Sequence, residues 1–322
     1  MVPNKQMLEL KANLISIVKY INDKSNVIFI DYPLYHNVGD LLIFQGTQKF
    51  FEDNNIKVKL YRSALDYNVD ELKKHADHQT TFICQGGGNF GDLYDVHQNV
   101  RISLVTHFKN NRIIILPQTA HFSNPDKLDL NRQIFKQHPD VVLFARDAKT
   151  FELFQTFSDK VHLMPDMAHQ LYGELPICAV KHNEPLYFLR VDKEKNDVQL
   201  SFLNNNKIQS IDWENFVSAS DFRYEYILAK TSRFANKIKS SFLKNVAYYF
   251  WNKHSYRIVN RSARYFSQYD LIITSRMHGH ILSCLLNRKS KIIDNSYGKN
   301  SGYFQQWTNK TSLGTLLLKD ES

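Results

Sequence analysis

The chain has 322 residues, of which 43% are hydrophobic and 23% charged. These proportions exclude a disordered, collagen-like or low-complexity protein, and we expect two domains or one large domain. The sequence contains no run of about 18 apolar residues, so we predict no transmembrane helix. The N-terminal segment reads as an amphipathic helix rather than a signal peptide. With three scattered cysteines, these features predict a cytoplasmic protein.

The net charge of +9 is concentrated in one segment, from Tyr226 to Tyr269. This segment has no Asp or Glu, and its nine Lys and Arg side chains equal the whole excess. It reads as a solvated helix face over a core stripe, as a helix at an anionic membrane surface, or as a nucleic-acid patch. No nucleic-acid motif accompanies it, so we expect no nucleic-acid partner. The membrane interpretation places Trp251, Tyr248 and Tyr249 at the lipid headgroups, with Lys237, Lys239 and Lys244 facing the lipid charge.

The pattern along the chain predicts an α/β fold with two Rossmann-like lobes. Strands and helices alternate in the N-terminal half, which favours a largely parallel sheet. Its predicted strands are Val27–Asp31, Lys57–Tyr61, Thr81–Gln85, Arg112–Pro117, Val141–Ala145 and Val161–Met164. The strands predicted for the C-terminal half are Leu186–Val191, Lys207–Ile211, Leu271–Ser275 and Lys291–Asp294, with one long helical region from Val217 to Gln268.

We therefore expect an N-terminal lobe over residues 1–175 and a C-terminal lobe over residues 185–322, which includes the basic helical segment 226–269. A cleft would separate the two lobes. Ligands of such sheets bind beyond the carboxyl ends of the strands. The residues that follow each predicted strand are thus the first candidates for a site.

Two strand ends are rich in glycine and polar residues. After the first strand, Asn37, Gly39 and Asp40 suit a tight turn and a helix cap, or a loop that lines the cleft. After the third strand comes Gly86-Gly87-Gly88-Asn89-Phe90-Gly91-Asp92. Consecutive glycines let backbone N–H groups approach an anion or a sugar, although such a run can also be a simple turn.

Two further strand ends carry cations. Arg146 closes a buried strand, where it either pairs with Asp147 or points into the cleft to bind a phosphate or carboxylate. Arg276, Met277 and His278 follow another buried strand. Arg276 can hold an anion, and a histidine such as His278 can donate or accept a proton near neutral pH.

These segments, in this order, resemble the polysaccharide pyruvyl transferase family. The matching residues are Asn37-Val38-Gly39-Asp40, Gly86 to Asp92, Ala145-Arg146-Asp147, Pro165-Asp166 and Ser275-Arg276-Met277-His278-Gly279. The resemblance implies a fold like that of GT-B glycosyltransferases and transfer of pyruvate from phosphoenolpyruvate to a sugar as a cyclic ketal. It also implies that Arg276, Met277 and His278 bind phosphoenolpyruvate, with Arg146 as the second anion ligand.

On this interpretation the donor's phosphate and carboxylate need at least two cations, which Arg146 and Arg276 can supply. His278 is the acid or base favoured by residue type, and Asp40 or Asp92 would deprotonate the acceptor hydroxyls. Gly87, Gly88, Asn89, Asn37, Gly39 and Asp92 complete the predicted binding residues. We expect no metal and no cofactor, because arginines can neutralise the phosphate.

The predicted acceptor is a lipid-linked or polymeric saccharide in exopolysaccharide or capsule synthesis, met at the inner face of the cell membrane. A nucleotide-sugar glycosyltransferase of the same fold is the main rival, since arginines and a glycine loop also suit a diphosphate. A non-catalytic glycan-binding or lipid-binding protein is the second rival. The clustered Arg and His residues speak against it, because binding alone needs no titratable group.

Overall fold

Strands and helices alternate along the N-terminal half of the chain, as its hydrophobic pattern predicts. The computed structural model describes residues 3–190, 210–294 and 298–317. The strands are β1 (Val27–Ile30), β2 (Val58–Arg62), β3 (Thr81–Cys84), β4 (Gly87–Gly91), β5 (Arg112–His121), β6 (Val141–Ala145), β7 (Lys160–Leu163), β8 (Leu186–Phe188), β9 (Leu271–Thr274), β10 (Lys289–Ile292) and β11 (Gly314–Leu316).

The helices include several that begin at an Asn or Ser cap. They are α1 (Lys5–Asn13), α2 (Val38–Asp53), α3 (Val69–His75), α4 (Asp95–His107), α5 (Pro125–Lys136), α6 (Ala148–Phe154), α7 (Ala219–Lys237), α8 (Ser241–Phe266), α9 (Met277–Leu285) and α10 (Lys299–Tyr303). Asn37, for example, accepts a hydrogen bond from the N–H of Gly39 and so begins α2. Short 3₁₀ turns follow α1, β7 and residue Asp212.

Seven strands form the first sheet, in the order β2-β1-β3-β5-β6-β7, with β4 beside β5. Every neighbouring pair is parallel. Strands such as β6 are buried along their whole length, as a parallel sheet covered on both faces requires. The mixed α/β class and the parallel sheet are therefore confirmed.

Strand β4 corrects the prediction of a simple glycine turn after β3, while the predicted binding role of these glycines stays a prediction. The run from Gly87 to Gly91 pairs in parallel with the second half of β5, which extends to His121. The β5 strand is thus longer than predicted, and its polar end provides the hydrogen-bonding edge. This pairing stabilises a strand in spite of the poor intrinsic strand preference of glycine.

A second parallel sheet has four strands in the order β11-β10-β9-β8. Of the predicted strand Lys207–Ile211, residues 207–209 lie outside the described residues, and Ile211 forms an isolated bridge with Phe188. One continuous hydrophobic core contains residues of both sheets, including Phe29 and Ile114 of the first and Phe188 and Ile272 of the second. The division into lobes at residues 175–185 stays a prediction.

The long predicted helical region is two helices, α7 and α8, joined at Ile238–Ser240, where Lys239 has a φ of 56°. We call α7, α8 and this turn the helical hairpin. Helix α8 packs against α2 and β2. Within the described residues, no helix has the length and apolar character that crossing a membrane requires.

The hairpin corrects three residue assignments of the membrane interpretation. Trp251 is fully buried, and its indole N–H donates to the carbonyl of Pro33. Tyr248 stacks on Tyr61 with ring centroids 3.8 Å apart. Lys244 is buried and its Nζ lies 2.6 Å from the Glu71 carboxylate. Their partners lie in the loop after β1, in β2 and in α3, so these side chains anchor the hairpin to the N-terminal part of the fold.

Candidate functional site

A cavity of about 1110 Å³ opens at the carboxyl ends of the strands of both sheets. Eight of the predicted site residues line it, and they come from four separate segments of the chain. These eight are Asn37, Asp40, Gly88, Asn89, Arg146, Arg276, Met277 and His278. The parallel topology therefore brings together the strand ends that the sequence singled out.

The buried carboxylate of Asp166 contacts a basic side chain from each sheet, Arg146 after β6 and His278 after β9. Its Oδ2 accepts hydrogen bonds from Arg146 Nη1 at 2.5 Å and from His278 Nε2 at 3.3 Å. Burial alone would raise the pKa of Asp166, but the facing His278 and Arg146 hold that pKa well below its usual range. Asp166 is thus an ionised carboxylate that orients both side chains.

Further contacts fix Asp166 from behind. Its Oδ1 accepts from the N–H of Ala168 at 2.9 Å, and its own N–H donates to the Tyr303 hydroxyl at 3.1 Å. The same hydroxyl lies 2.8 Å from Nε2 of the buried His169. Burial lowers the pKa of His169 to about 4, so that this histidine is neutral at neutral pH. Asp166 therefore has a rigid, uncharged support beneath it.

Arg146 and Lys299 approach each other above Gly88. A Cβ at Gly88 would lie 2.8 Å from Lys299 Nζ and 3.1 Å from Arg146 Nη2. Arg146 is itself held by Thr119, whose hydroxyl accepts from Nε at 2.9 Å. Arg146 forms its ion pair with Asp166 and not with the neighbouring Asp147, whose side chain caps α6. Two cations line the cavity at a point where only glycine leaves them room.

Arg276, which follows β9 of the second sheet, also lines the cavity and is oriented by a carboxylate. Its Nε and Nη2 donate to the two oxygens of Asp212 at 2.9 and 2.5 Å. Asp212 is almost fully buried, so that the pair is a fixed, bidentate one. Arg190 lines the cavity too, and its backbone N–H donates to Ser275 at 3.0 Å. The cavity therefore has cationic side chains from both sheets.

The start of α2 supplies the wall below His278. A Cβ at Gly39 would lie 2.8 Å from His278 Nδ1, so that glycine permits the backbone of α2 to approach the imidazole. Asp40 accepts a hydrogen bond from the Tyr35 hydroxyl at 3.1 Å. Gly87 faces Asp40, with 3.6 Å between its Cβ position and Asp40 Oδ1. The Asn37 side chain caps α2, and Asn37 and Asp40 also line the cavity. This turn is therefore both a helix cap and a part of the cavity wall.

A second histidine lines the cavity beside a buried carboxylate. His97 Nδ1 lies 2.6 Å from Asp31 Oδ1, and Arg101 Nη2 lies 3.3 Å from Asp31 Oδ2. Asp31 has a φ of 68°, which is uncommon for a residue with a side chain and occurs at functional sites. Arg101 also donates to Asn89 Oδ1 at 2.5 Å. His97 is thus oriented by Asp31, while Asn89 is tied to the same network.

Asp92 lies outside the lining that the described residues give the cavity. Its carboxylate accepts hydrogen bonds from the N–H groups of Ser123 and Asn124 and from the Ser123 hydroxyl. This turn-stabilising contact explains why its pKa is lowered although burial opposes the shift. In this conformation the Asp92 carboxylate stabilises the turn at Ser123, whereas Asp40 lines the cavity, and the choice between them as the base stays a prediction.

Sequence reasoning passed over Lys299, Asp212 and His97. Lys299 begins a short helix with no recognisable pattern around it, and Asp212 follows an isolated bridge. His97 lies in the first turn of α4, six residues after the end of the glycine strand. No group of three or more His, Cys, Asp or Glu side chains in the described parts of the chain is arranged to hold a metal ion.

Comparison with known proteins gives consistent results. The family model described as "Polysaccharide pyruvyl transferase" matches residues 37–297. The chain is 38% identical over 303 residues to a Bacillus subtilis protein named "Putative pyruvyl transferase EpsO", covering 94% of this chain and 91% of the relative. It is 26% identical over 311 residues to "Pyruvyl transferase 1" of Schizosaccharomyces pombe, covering 91% of this chain and 72% of the relative.

The fold has a counterpart among solved structures. A crystal structure of an uncharacterised protein from Klebsiella pneumoniae superposes with a TM-score of 0.61. The superposition covers 99% of this chain and 100% of the other, at 19% sequence identity. At this identity the likeness concerns the fold alone.

Proposed function

Because the chain belongs to the polysaccharide pyruvyl transferase family, we propose that it uses phosphoenolpyruvate as donor and forms a cyclic pyruvate ketal on a saccharide. The observation that carries this proposal is the arrangement of Arg146, Lys299 and Arg276 around the cavity that His278 also lines. A small donor with two anionic groups suits several cations from both sheets.

In this proposal Arg146 and Lys299 bind one anionic group of the donor, and Arg276 binds the other. Arg146 and Arg276 are each held by a buried carboxylate, Asp166 and Asp212, so that their guanidinium groups are oriented before the donor arrives. Such preorganisation lowers the cost of binding and of stabilising charge in the transition state.

His278 is the proposed acid that protonates C3 of the enol. The contact with Asp166 orients its ring. Protonation at C3 gives cationic character at C2, which one acceptor hydroxyl attacks. Phosphate then leaves with the electrons of its C–O bond, and a second hydroxyl closes the ring. The two acceptor hydroxyls release two protons in total. One of them replaces the proton that His278 gave to C3, and the other is taken up by phosphate or a base.

Asp40 and His97 are the proposed bases for the acceptor hydroxyls. Both line the cavity, and both have a fixed partner, Tyr35 for Asp40 and Asp31 for His97. A base must lie within hydrogen-bond reach of the proton it removes. The acceptor would therefore enter over the first sheet. We propose a lipid-linked or polymeric saccharide of surface-glycan synthesis as this acceptor.

The test is to incubate the protein with phosphoenolpyruvate and a panel of lipid-linked sugars while measuring phosphate release and ketal formation. Nucleotide sugars serve as the alternative donors. Release of phosphate only when acceptor is present would support the proposal. Consumption of a nucleotide sugar without phosphoenolpyruvate would contradict it.

A glycine variant connects this assay to the geometry. Gly88→Ala places a methyl group against Lys299 and Arg146, so the KM for phosphoenolpyruvate should rise. Gly302→Ala is the matched control, because Gly302 also lines the cavity but a Cβ there approaches neither Lys299 Nζ nor Arg146 Nη2. Equal KM values for the two variants would argue against donor binding above Gly88.

A further inference from the structure

The helical hairpin exposes many large apolar side chains. Among the described residues, 17 such side chains are exposed, and nine of them lie between Phe222 and Tyr256. Phe242, next to the turn, is 73% exposed. The nine are Phe222, Tyr226, Ile227, Phe234, Ile238, Phe242, Tyr249, Phe250 and Tyr256. A surface of this kind usually marks an interaction site.

Exposed cations alternate with these apolar side chains. The exposed Lys and Arg residues of the hairpin are Arg223, Lys230, Arg233, Lys237, Lys239, Lys253, Arg257, Arg261 and Arg264. Lys230 Nζ lies 4.5 Å above the ring of Tyr226, and Lys253 Nζ lies 4.4 Å above Tyr249. Asp221, at the start of α7, pairs with Arg261 at 2.7 Å, and from residue 226 to residue 269 the sequence has no acidic residue. We call these exposed cations and the nine apolar side chains the hairpin surface.

The hairpin surface rests on a fixed base. The opposite face of α7 and α8 is buried through residues such as Leu228, Ala247 and Trp251. Lys244 donates to Glu71 and to the Asp66 carbonyl, so the one buried lysine of α8 is used in anchoring it. The exposed side chains are therefore presented by two anchored helices, and their exposure does not come from a loosely packed core.

We propose that the hairpin surface docks on an anionic membrane leaflet. Cations attract anionic lipid, and exposed aromatic side chains beside them suit the headgroup boundary, where one end of a side chain is apolar and the other is wet. The turn between the helices, with Phe234, Ile238 and Phe242 around it, is the part that would enter the boundary. This proposal does not depend on the identity of the donor.

Other occupants fit this surface less well. Two copies of the chain would bring faces of the same charge together, which repel each other. A nucleic acid would satisfy the cations, but the exposed aliphatic side chains Ile227 and Ile238 offer it no base contact. An anionic lipid surface satisfies both the charges and the apolar side chains.

The N-terminal part of α7 also contacts a residue beside the cavity. His36, between the cavity-lining residues Tyr35 and Asn37, donates its backbone N–H to Glu225 of α7 at 3.2 Å and packs against Phe222. Docking through the hairpin surface would thus hold the cavity close to the lipid. The advantage of this position for a lipid-linked acceptor rests on the proposed function, whereas the docking itself does not.

The experiment measures binding of the full chain to vesicles, without donor or acceptor. Vesicles contain phosphatidylcholine alone or mixed with phosphatidylglycerol. We expect sedimentation with the mixed vesicles only, and release at high salt because exposed charges are screened. No binding, or equal binding to both vesicle types, would overturn the proposal.

Two sets of variants locate the contact. Lys230→Glu, Lys237→Glu and Lys253→Glu together should weaken binding by roughly tenfold or more, since each cation near the lipid contributes. Lys57→Glu, Lys109→Glu and Lys136→Glu are exposed on other elements and make the same change in charge. If both triple variants lose binding equally, net charge and not the hairpin surface explains it.

The apolar contact has its own pair of variants. Phe234→Ser with Phe242→Ser should weaken binding, whereas Ile15→Ser with Leu130→Ser, exposed elsewhere, should not. Sedimentation velocity and a nucleic-acid shift assay test the other occupants. A dimer abolished by Phe242→Ser, or displacement from vesicles by short nucleic acids, would overturn the proposal. Each variant should retain wild-type circular dichroism, which excludes loss of binding through misfolding.

Discussion

Arg146 and His278 contact the same oxygen of Asp166, at 2.5 and 3.3 Å. Arg146 follows β6 in the first sheet, and His278 lies in the first turn of α9, after β9 of the second sheet. One buried, ionised carboxylate thus fixes the proposed donor-binding guanidinium relative to the proposed acid. The distance between donor site and acid is set by Asp166 and not by either side chain alone.

Asp166→Asn should therefore impair catalysis more than a distant buried change of similar size. The amide can still accept a hydrogen bond, but it no longer carries the charge that orients Arg146 and His278. We expect kcat to fall on the order of 10²-fold, within the range that general acid–base catalysis covers. An unchanged kcat in a folded variant would remove Asp166 from the mechanism.

His278→Gln retains size and some hydrogen bonding but removes proton transfer. We expect turnover to fall roughly 10²–10⁴-fold, with loss of one limb of the pH–rate profile. The KM for phosphoenolpyruvate should change much less than kcat. A variant that keeps most of its activity with the same profile would show that His278 only binds or packs.

Arg276 and Asp212 should separate binding from orientation. Arg276→Ala removes a charge-assisted contact of about 1.5–3 kcal/mol and should raise the KM for phosphoenolpyruvate by roughly tenfold or more. Asp212→Asn keeps the guanidinium but loses one charge that orients it, so its KM should rise less. Steady-state kinetics over a range of donor concentrations compare the two. A larger effect for Asp212→Asn would mean that the pair is structural.

Three buried histidines should make stability depend on pH. Burial lowers the pKa of His169 and His254 to about 4 and that of His280 to about 3. Below pH ~6.5 the unfolded chain protonates these residues and the folded chain does not. Stability is therefore complete above that pH and falls towards pH 4, by up to about 1.4 kcal/mol per pH unit for each histidine.

Urea unfolding at pH 7.5, 6 and 5 measures this slope. His280→Gln should reduce the change in the free energy of unfolding per pH unit by the contribution of one histidine. This holds even if the variant is less stable at every pH. The side chain of His280 contacts the hydroxyls of Ser290 and Thr308, each at 2.7 Å, so some loss of stability is expected at every pH. Equal slopes for wild type and variant would contradict the assignment.

The sequence predicts most of the fold because the strands are apolar runs with polar ends. β6 lies at Val141–Ala145 as predicted, and the predicted strand over 81–85 differs from β3 by one residue. A wholly apolar run of this short length is typical of a strand that is buried on both faces of a parallel sheet. The residues after such runs lie at one edge of each sheet by geometry, so that Arg146 and His278 were identifiable without coordinates.

The sequence did not predict how the side chains are oriented or which residues they contact. Trp251 looked suited to a membrane because it lies among cations, but helical periodicity turns it onto α2 and the first sheet. Whether Asp40 or Asp92 faces the cavity depends on how one turn closes, which only tertiary contacts decide. Asp212 and Lys299 reach the site from segments that carry no motif.

The shared hydrophobic core has a thermodynamic consequence. Because Phe188 and Ile272 of the second sheet belong to the same buried cluster as Phe29 and Ile114 of the first, neither sheet can be stripped away without exposing the other. Heating should then unfold the protein in one cooperative transition despite its two sheets, with equal calorimetric and van't Hoff enthalpies. Two separable transitions would instead mean that each sheet carries an independent core.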